Sequence, residues 1–262
     1  MVQLAVVGWP VAHSLSPAMH QAALQTIGLG WDYQAFAVAP ADLPEWIATA
    51  AERGYVGINL TQPHKVAALT LCSPDLVAAE VGAVNTLRFR PNGHVAGFNT
   101  DVYGFEMALR ELALSPRRAA LLGAGGAARA VARALVLRGC EVTLVSRSQR
   151  RAQPELHHIP WSPSALAALL VSVDLLVDAT SRGRNANLPP IDLSPLAPTA
   201  AVVDLTVRPT TPLITAARTR GLVAATGEIM LLHQGAQAFE LWTGRTAPLE
   251  VMRAALASAL FK

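Results

Sequence analysis

The chain has 262 residues, 52% of them hydrophobic and 15% charged, with a formal net charge of +3. That composition excludes a disordered or fibrous chain, and the basic residues are too scattered to point to nucleic acid. No apolar run approaches the ~20 residues of a bilayer span, and two cysteines, Cys72 and Cys140, give neither a disulfide framework nor a clustered metal site. The chain opens on MVQLAVVG, which lacks the basic segment and cleavage site of a secretory leader, so a cytoplasmic location is expected. Within it, residues 4–8 read as a first strand.

Residues 16–27 are amphipathic and predict a helix, 33–38 a strand, 43–53 a helix and 55–60 a strand. Residues 63–70 carry the proline expected at a helix start. This is the grammar of βαβ units. A helix is predicted from Asp101 to about Leu112, and the polar break at Ser115-Pro116-Arg117-Arg118 marks the region of a domain junction. Five further strands, 119–123, 141–146, 174–179, 201–205 and 223–225, are spaced for parallel crossovers, which predicts a Rossmann-like sheet. The Pro- and Asn-rich stretch 182–198 reads as an ordered loop, and 235–260 as two helices around Thr243-Gly244-Arg245.

The strand at 119–122 leads into Gly123-Ala124-Gly125-Gly126-Ala127-Ala128, a G-x-G-x-x-A loop followed by a helix. The first glycine permits the turn, the second lets backbone approach a pyrophosphate, and the small third residue lets helix pack on strand. About twenty residues on, where an NAD-binding chain carries Asp or Glu, stand Ser146, Arg147 and Ser148, with Arg150 and Arg151 beyond. Those donors suit a 2′-phosphate, although a solvated basic turn would look the same.

Of the 21 basic residues only Lys65 and Lys262 are lysines. A coding bias toward arginine explains the rest of the chain, but a position that must release a proton cannot use a guanidinium, whose pKa is above ~12. Lys65 also ends one of four polar segments that adjoin apolar strands: GWPVAHSLSP from Gly8, NLTQPHK from Asn59, GAVNT from Gly82 and GFNTD from Gly97. Loops at the carboxyl ends of strands are where open α/β sheets hold ligands, and these hydroxyls, amides, lysine and acid suit a polyhydroxylated ring. Taken singly, Ser14 or Ser16 could cap a helix, Asn85 could serve a turn, and Asp101 could be an N-cap.

With GAGGAARA from Gly123, DATS from Asp178, DLTVRPTTPL from Asp204 and MLLHQGAQAFELWTG from Met230, these segments make the chain resemble the shikimate dehydrogenase family over essentially its whole length. The resemblance implies an α/β fold with two α/β domains: a substrate domain (1–101), a Rossmann-like NADP domain (102–234), and C-terminal helices (235–262) that return to the substrate domain, with the active site in the cleft. It implies NADP as cofactor and a reversible reduction of 3-dehydroshikimate to shikimate, in aromatic amino-acid biosynthesis, by a monomer or homodimer without nucleic-acid or membrane partners.

By the same match Ser14 and Ser16 hold the substrate carboxylate, and Asn59, Thr61, Asn85 and Gln234 bind ring hydroxyls. Lys65 and Asp101 form the catalytic pair and also touch substrate. Gly123, Ala124, Gly125, Gly126, Ala127, Ser146, Arg147, Ser148, Arg151, Thr180, Val207 and Gly227 face the cofactor. No metal is implied, and His13, His20, His64 and His233 are expected in supporting or structural roles. The chain departs from the family's usual Asn at Asp178, Met at Arg184, Asn at Ser146 and Tyr at Val207. A quinate/shikimate dehydrogenase using NAD or NADP is the near alternative. A non-catalytic metabolite-binding regulator is the distant one.

Overall fold

Strand β1 (Gln3–Gly8) has Leu4, Ala5, Val6 and Val7 in a row, and all four are buried. A continuous apolar run of this kind marks a strand covered on both faces. The structure is a computed structural model that describes residues 2–147, 156–184 and 190–261. It forms two compact units, one comprising residues up to Gly104 together with those from Leu231 onward, the other Phe105–Met230.

In the first unit α1 (Ser16–Thr26) leads to β2 (Asp32–Ala37), and α2 (Leu43–Ala50) to β3 (Tyr55–Leu60). Both strands pair with β1 in parallel, as the βαβ pattern predicts. The pattern then breaks. After the two-residue β4 (Ser73–Pro74) and α3 (Leu76–Val81), strands β5 (Thr86–Phe89) and β6 (Val95–Phe98) form a hairpin, and β5 runs antiparallel to both β3 and β6. The sheet order is β2-β1-β3-β5-β6-β4.

Alternate residues of a strand face opposite sides. Accordingly Leu4 and Val6 pack with Met19, Leu24, Phe239 and Trp242, while Ala5 and Val7 pack with Leu43, Ile47, Ala68 and Ala78 on the other face.

The helix expected over 63–70 is a turn followed by a single 3₁₀ turn, Ala67–Thr70. The Lys65 carbonyl accepts from Val84 N at 2.7 Å, so it is committed to a tertiary bond instead of a helical one. This holds Lys65 beside the start of the hairpin.

Helix α4 (Asp101–Glu111) carries the chain from the first unit into the second. There β7 (Arg118–Leu122), α5 (Gly126–Leu137), β8 (Glu141–Ser146), β9 (His157–Pro160), α6 (Pro163–Leu170), β10 (Leu175–Asp178), β11 (Ala201–Asp204), α7 (Pro212–Thr219) and β12 (Val223–Thr226) follow. All pairings are parallel, in the order β12-β11-β10-β7-β8-β9. Counted from the first strand of the unit this is 6-5-4-1-2-3, the Rossmann order, with its switch point between β7 and β10.

Strand β9 has no counterpart in the sequence expectations, because its four residues, HHIP, carry no alternation. Helix α8 (Glu228–Thr243) starts seven residues earlier than expected and returns the chain to the first unit, where α9 (Leu249–Leu260) packs on α1.

Candidate active site

Because β5 runs antiparallel, its start lies at the same sheet edge as the ends of β1, β3 and β6. The four polar segments therefore gather at one edge of the first sheet, the third of them at the amino end of a strand instead of a carboxyl end. Lys65 Nζ donates to Asp101 Oδ2 at 2.6 Å, with the lysine side chain 17% exposed and the aspartate 4%. Asp101 opens α4, where the helix dipole favours a carboxylate, and its backbone N–H is taken by Asn99 Oδ1 at 3.1 Å. Its other oxygen, Oδ1, accepts from Asn85 Nδ2 at 2.9 Å.

Asn85 is the hub of the set. Its Nδ2 also lies 2.9 Å from Thr100 Oγ1 and 3.2 Å from Gln234 Oε1, and its Oδ1 accepts from Thr100 N and Thr86 Oγ1. Two amide protons facing three acceptors leave the longest contact, to Gln234, the easiest to exchange for a ligand oxygen. Asn59 extends the network: its Nδ2 donates to Thr86 Oγ1 at 3.0 Å, and its Oδ1 accepts from the Tyr33 hydroxyl at 2.7 Å. Burial holds the Tyr33 phenol well above its ordinary range, against the opposing pull of a hydrogen bond with the Ser16 side chain. A continuous chain of polar contacts thus runs Ser16, Tyr33, Asn59, Thr86, Asn85, Asp101, Lys65.

Ser14 joins through its hydroxyl, which accepts from Ser16 N at 3.4 Å. Neither serine caps α1 by its side chain, since the capping position is Leu15. Thr61 is set at the end of β3 by its backbone, N–H to the Val7 carbonyl at 2.9 Å. Of the motif histidines, His64 is buried with Nε2 2.9 Å from the Val38 carbonyl, His233 meets the Tyr103 ring edge-on, and His13 is exposed. His20 stacks on Tyr33 with centroids 4.3 Å apart, and burial pushes its imidazole down to about 3.

In the second unit the glycine loop sits at the switch point. Gly123 has φ +105° and lies against Ala179 and Thr180, where a Cβ would come 3.1 Å from the Ala179 carbonyl. Ala124 follows, Gly125 is the extended residue ahead of α5, and Gly126 and Ala127 form its first turn. Ser146 ends β8, buried, with Oγ 2.9 Å from His158 Nε2, and Arg147 next to it is exposed. Thr180 donates twice to Asp178 Oδ1. Val207 is half-buried after β11, and Gly227 N–H donates to the Thr206 carbonyl just before α8. Ser148, Arg150 and Arg151 lie outside the described residues. Among the described residues no group of three His, Cys, Asp or Glu could hold a metal, and no helix is long and apolar enough to cross a membrane.

Two family models match the chain: a shikimate dehydrogenase substrate binding domain over residues 6–87 and a shikimate 5′-dehydrogenase C-terminal domain over 229–257. A shikimate dehydrogenase (NADP(+)) of Acidiphilium cryptum is 45% identical over 251 residues, covering 92% of this chain and 90% of that one. The chain belongs to the shikimate dehydrogenase family. The Thermus thermophilus shikimate 5-dehydrogenase, solved with NADP(H) and shikimate, superposes with TM-score 0.88 at 38% identity, covering 99% of this chain and 100% of the other. A quinate dehydrogenase of Corynebacterium glutamicum, solved with NAD, reaches 0.86 at 30% identity, covering 98% and 99%.

Against the family pattern, Asp178 keeps the acceptor an asparagine would offer Thr180, at the expense of a buried carboxylate. Burial raises its pKa, and neighbouring Asp204 adds to the rise. Residues outside the sequence expectations complete the shikimate dehydrogenase network: Thr86, Asn99 and Thr100 stood within the quoted motifs, whereas nothing in the strand sequence DYQAFA signalled Tyr33.

Proposed function

We propose that the chain catalyses the reversible NADPH-dependent reduction of 3-dehydroshikimate to shikimate, a step of aromatic amino-acid biosynthesis. The observation that carries this reading is the Lys65–Asp101 pair at the end of a buried polar chain. Reducing a ketone creates an alkoxide that must gain a proton, and the reverse oxidation must lose it. Lys65 is the group that donates and recovers that proton, while Asp101 orients the ammonium and couples to its charge. Ser14 and Ser16 hold the ring carboxylate. Asn59, Thr61, Asn85 and Gln234 bind ring hydroxyls, with Gln234 yielding its contact on Asn85 when a hydroxyl arrives.

The second unit fits NADP on three counts: the switch point, the left-handed Gly123 turn that admits a close backbone approach, and the absence of an acid at the end of β8, where Ser146 and Arg147 stand. The nicotinamide, when bound, supplies the hydride. Gly123 to Ala127 receive the pyrophosphate, Ser146, Arg147, Ser148 and Arg151 the 2′-phosphate, and Thr180, Val207 and Gly227 the remainder of the cofactor.

We assign substrate to the first unit and NADP to the second, and place the enzyme in the cytoplasm as a monomer or homodimer acting without nucleic acid or membrane. The test is a spectrophotometric assay of NADP reduction with shikimate, run beside quinate and beside NAD. Fast turnover only with shikimate and NADP is the expected result. A preference for quinate and NAD would move the chain to the quinate branch, and turnover with neither would leave a metabolite-binding regulator.

A further inference from the structure

In register across the carboxyl edge of the second sheet, Leu122 of β7, Asp178 of β10, Asp204 of β11 and Thr226 of β12 form one row. Residues paired in this way point to the same face of a sheet. Two carboxylates therefore stand side by side on adjacent strands, with backbones ~4.8 Å apart. They are 1% and 0% exposed. The face they share is the one on which Leu176 and Val202 cluster with Leu166 and Leu170 of α6 and Ile214 of α7.

Their hydrogen bonds do not balance them. Asp178 Oδ1 accepts twice from Thr180, at 2.8 Å from N and 2.6 Å from Oγ1. Asp204 Oδ1 accepts from Thr206 N at 2.9 Å, but its Oδ2 is buried with no hydrogen-bond partner. Gly183 lies over that oxygen, so close that a Cβ there would come 2.7 Å from it.

Few charged groups surround the pair. The charge of Arg182 pulls Asp178 down, but a guanidinium does not titrate. On the other side β7 ends in Leu122 and the glycine loop; α6 has no ionisable residue, and α7 only Arg218, in its last turn. Beyond β11, Glu228 Oε1 accepts from Thr226 Oγ1 at 2.9 Å. Two buried anions on one face, one with an orphaned oxygen, are relieved most directly by a proton held between them.

The row adjoins the region assigned to the cofactor. Ala179, the residue after Asp178, is the one against which Gly123 lies. A Rossmann dinucleotide brings its diphosphate to that glycine loop, and its negative charge makes an unprotonated pair more costly still.

We propose that Asp178 and Asp204 form a proton site coupled to the cofactor: NADPH binds together with a proton taken from solvent by the pair, and binding weakens as rising pH empties the site. This rests on the reading that the second unit binds NADP. The test is fluorescence titration of the full chain with NADPH from pH 5 to 9, in wild type and in Asp178→Asn, which keeps an acceptor for Thr180 without the charge.

The two affinities come together at the acid end and separate as pH rises, wild type losing up to tenfold per pH unit against the variant, the limit for one proton. A ratio that stays constant with pH overturns the proposal. Calorimetry of wild type with NADPH in buffers of unequal ionisation heat needs no variant, and it shows net proton uptake. Arginine contacts to a 2′-phosphate favour its dianion, so they release protons and cannot mimic that sign. No uptake at any pH overturns the proposal as well. Wild-type protein that binds no NADPH at any pH would instead overturn the NADP reading of the unit itself.

Discussion

Lys65 reaches Asp101 over 2.6 Å while Asp101 is held by Asn85 on its other oxygen, so the ammonium has one defined partner and a partly exposed flank. Lys65→Ala should lower kcat by about 10²–10⁴-fold, the range for general acid–base catalysis, with shikimate binding partly kept. Lys65→Arg should be nearly as inactive, since guanidinium keeps the charge but cannot shuttle the proton. Wild-type-like turnover in folded Lys65→Arg protein would show that charge alone is needed. At the other site, Arg147→Ala should weaken NADP roughly tenfold or more while sparing NAD, as expected for one charge-assisted phosphate contact. Equal losses for both cofactors, read by titration, would remove Arg147 from the 2′-phosphate.

Both of these residues were legible in the sequence, Lys65 as the one internal lysine and Arg147 by its distance from the glycine loop. Tyr33 was not, because its role exists only through β2, β1 and β3 lying side by side. Tyr33→Phe leaves Asn59 Oδ1 without its buried donor, which costs about 1–3 kcal/mol of stability. A raised KM for shikimate with kcat largely preserved should accompany that loss. An unchanged unfolding midpoint would mean that water replaces the phenol.

At the level of elements, five of the six parallel strands of the second sheet and their crossovers were readable from apolar runs of the right spacing, which led to a Rossmann-like sheet but not to its strand order, since the edge strand β9 was missed. The hairpin of β5 and β6 was not readable, because four-residue strands carry too little periodicity and their polar neighbours masked them. The same tertiary demand converted the expected helix over 63–70 into a turn, by claiming the Lys65 carbonyl for Val84. Periodicity was equally silent on where the last two helices pack, and only the family resemblance led to the expectation that they return to the substrate domain.

Trp242 of α8 lies directly over Gly57 of β3 and donates Nε1–H to the Leu87 carbonyl at 2.9 Å, tying the late helix to the sheet that holds the polar chain. A methyl group at Gly57 would meet the indole. Gly57→Ala should therefore destabilise the first unit by about 1–3 kcal/mol, the usual cost of overpacking, visible as a lower urea midpoint. An unaltered midpoint would mean that α8 can shift without cost.

Across the whole molecule, the two units carry buried titratable groups whose displacements act in opposite senses. His20, in the first unit, is held at about 3 by burial among Tyr33, Phe239 and Trp242, against 6.5 in an unfolded chain. Unfolded chains therefore take up a proton that the folded unit refuses. The stability linked to His20 is complete above about 6.5 and declines by about 1.4 kcal/mol per pH unit below it, toward pH 3. Burial lowers His64 as well, in the same unit and with the same sign.

Asp178, in the second unit, is raised by burial and by Asp204, against the hydrogen bonds from Thr180 and the charge of Arg182. Its contribution is complete below the ordinary aspartate value of 3.8 and is lost as pH rises through its folded value. Asp174, lowered chiefly by the Arg117 backbone N–H, changes the second unit only below that range. Acidification from pH 7 toward 4 should thus weaken the first unit while strengthening the second. Hydrogen exchange measured separately in β1–β3 and in β7 and β10, corrected for intrinsic rates, should show protection falling in one set and rising in the other. His20→Phe should flatten the first trend. Asp178→Asn should flatten the second and raise the neutral-pH stability of its unit, since the amide keeps the acceptor for Thr180 without the charge. Parallel trends in the two sets of strands, unaltered by either substitution, would show that neither buried group governs the pH response.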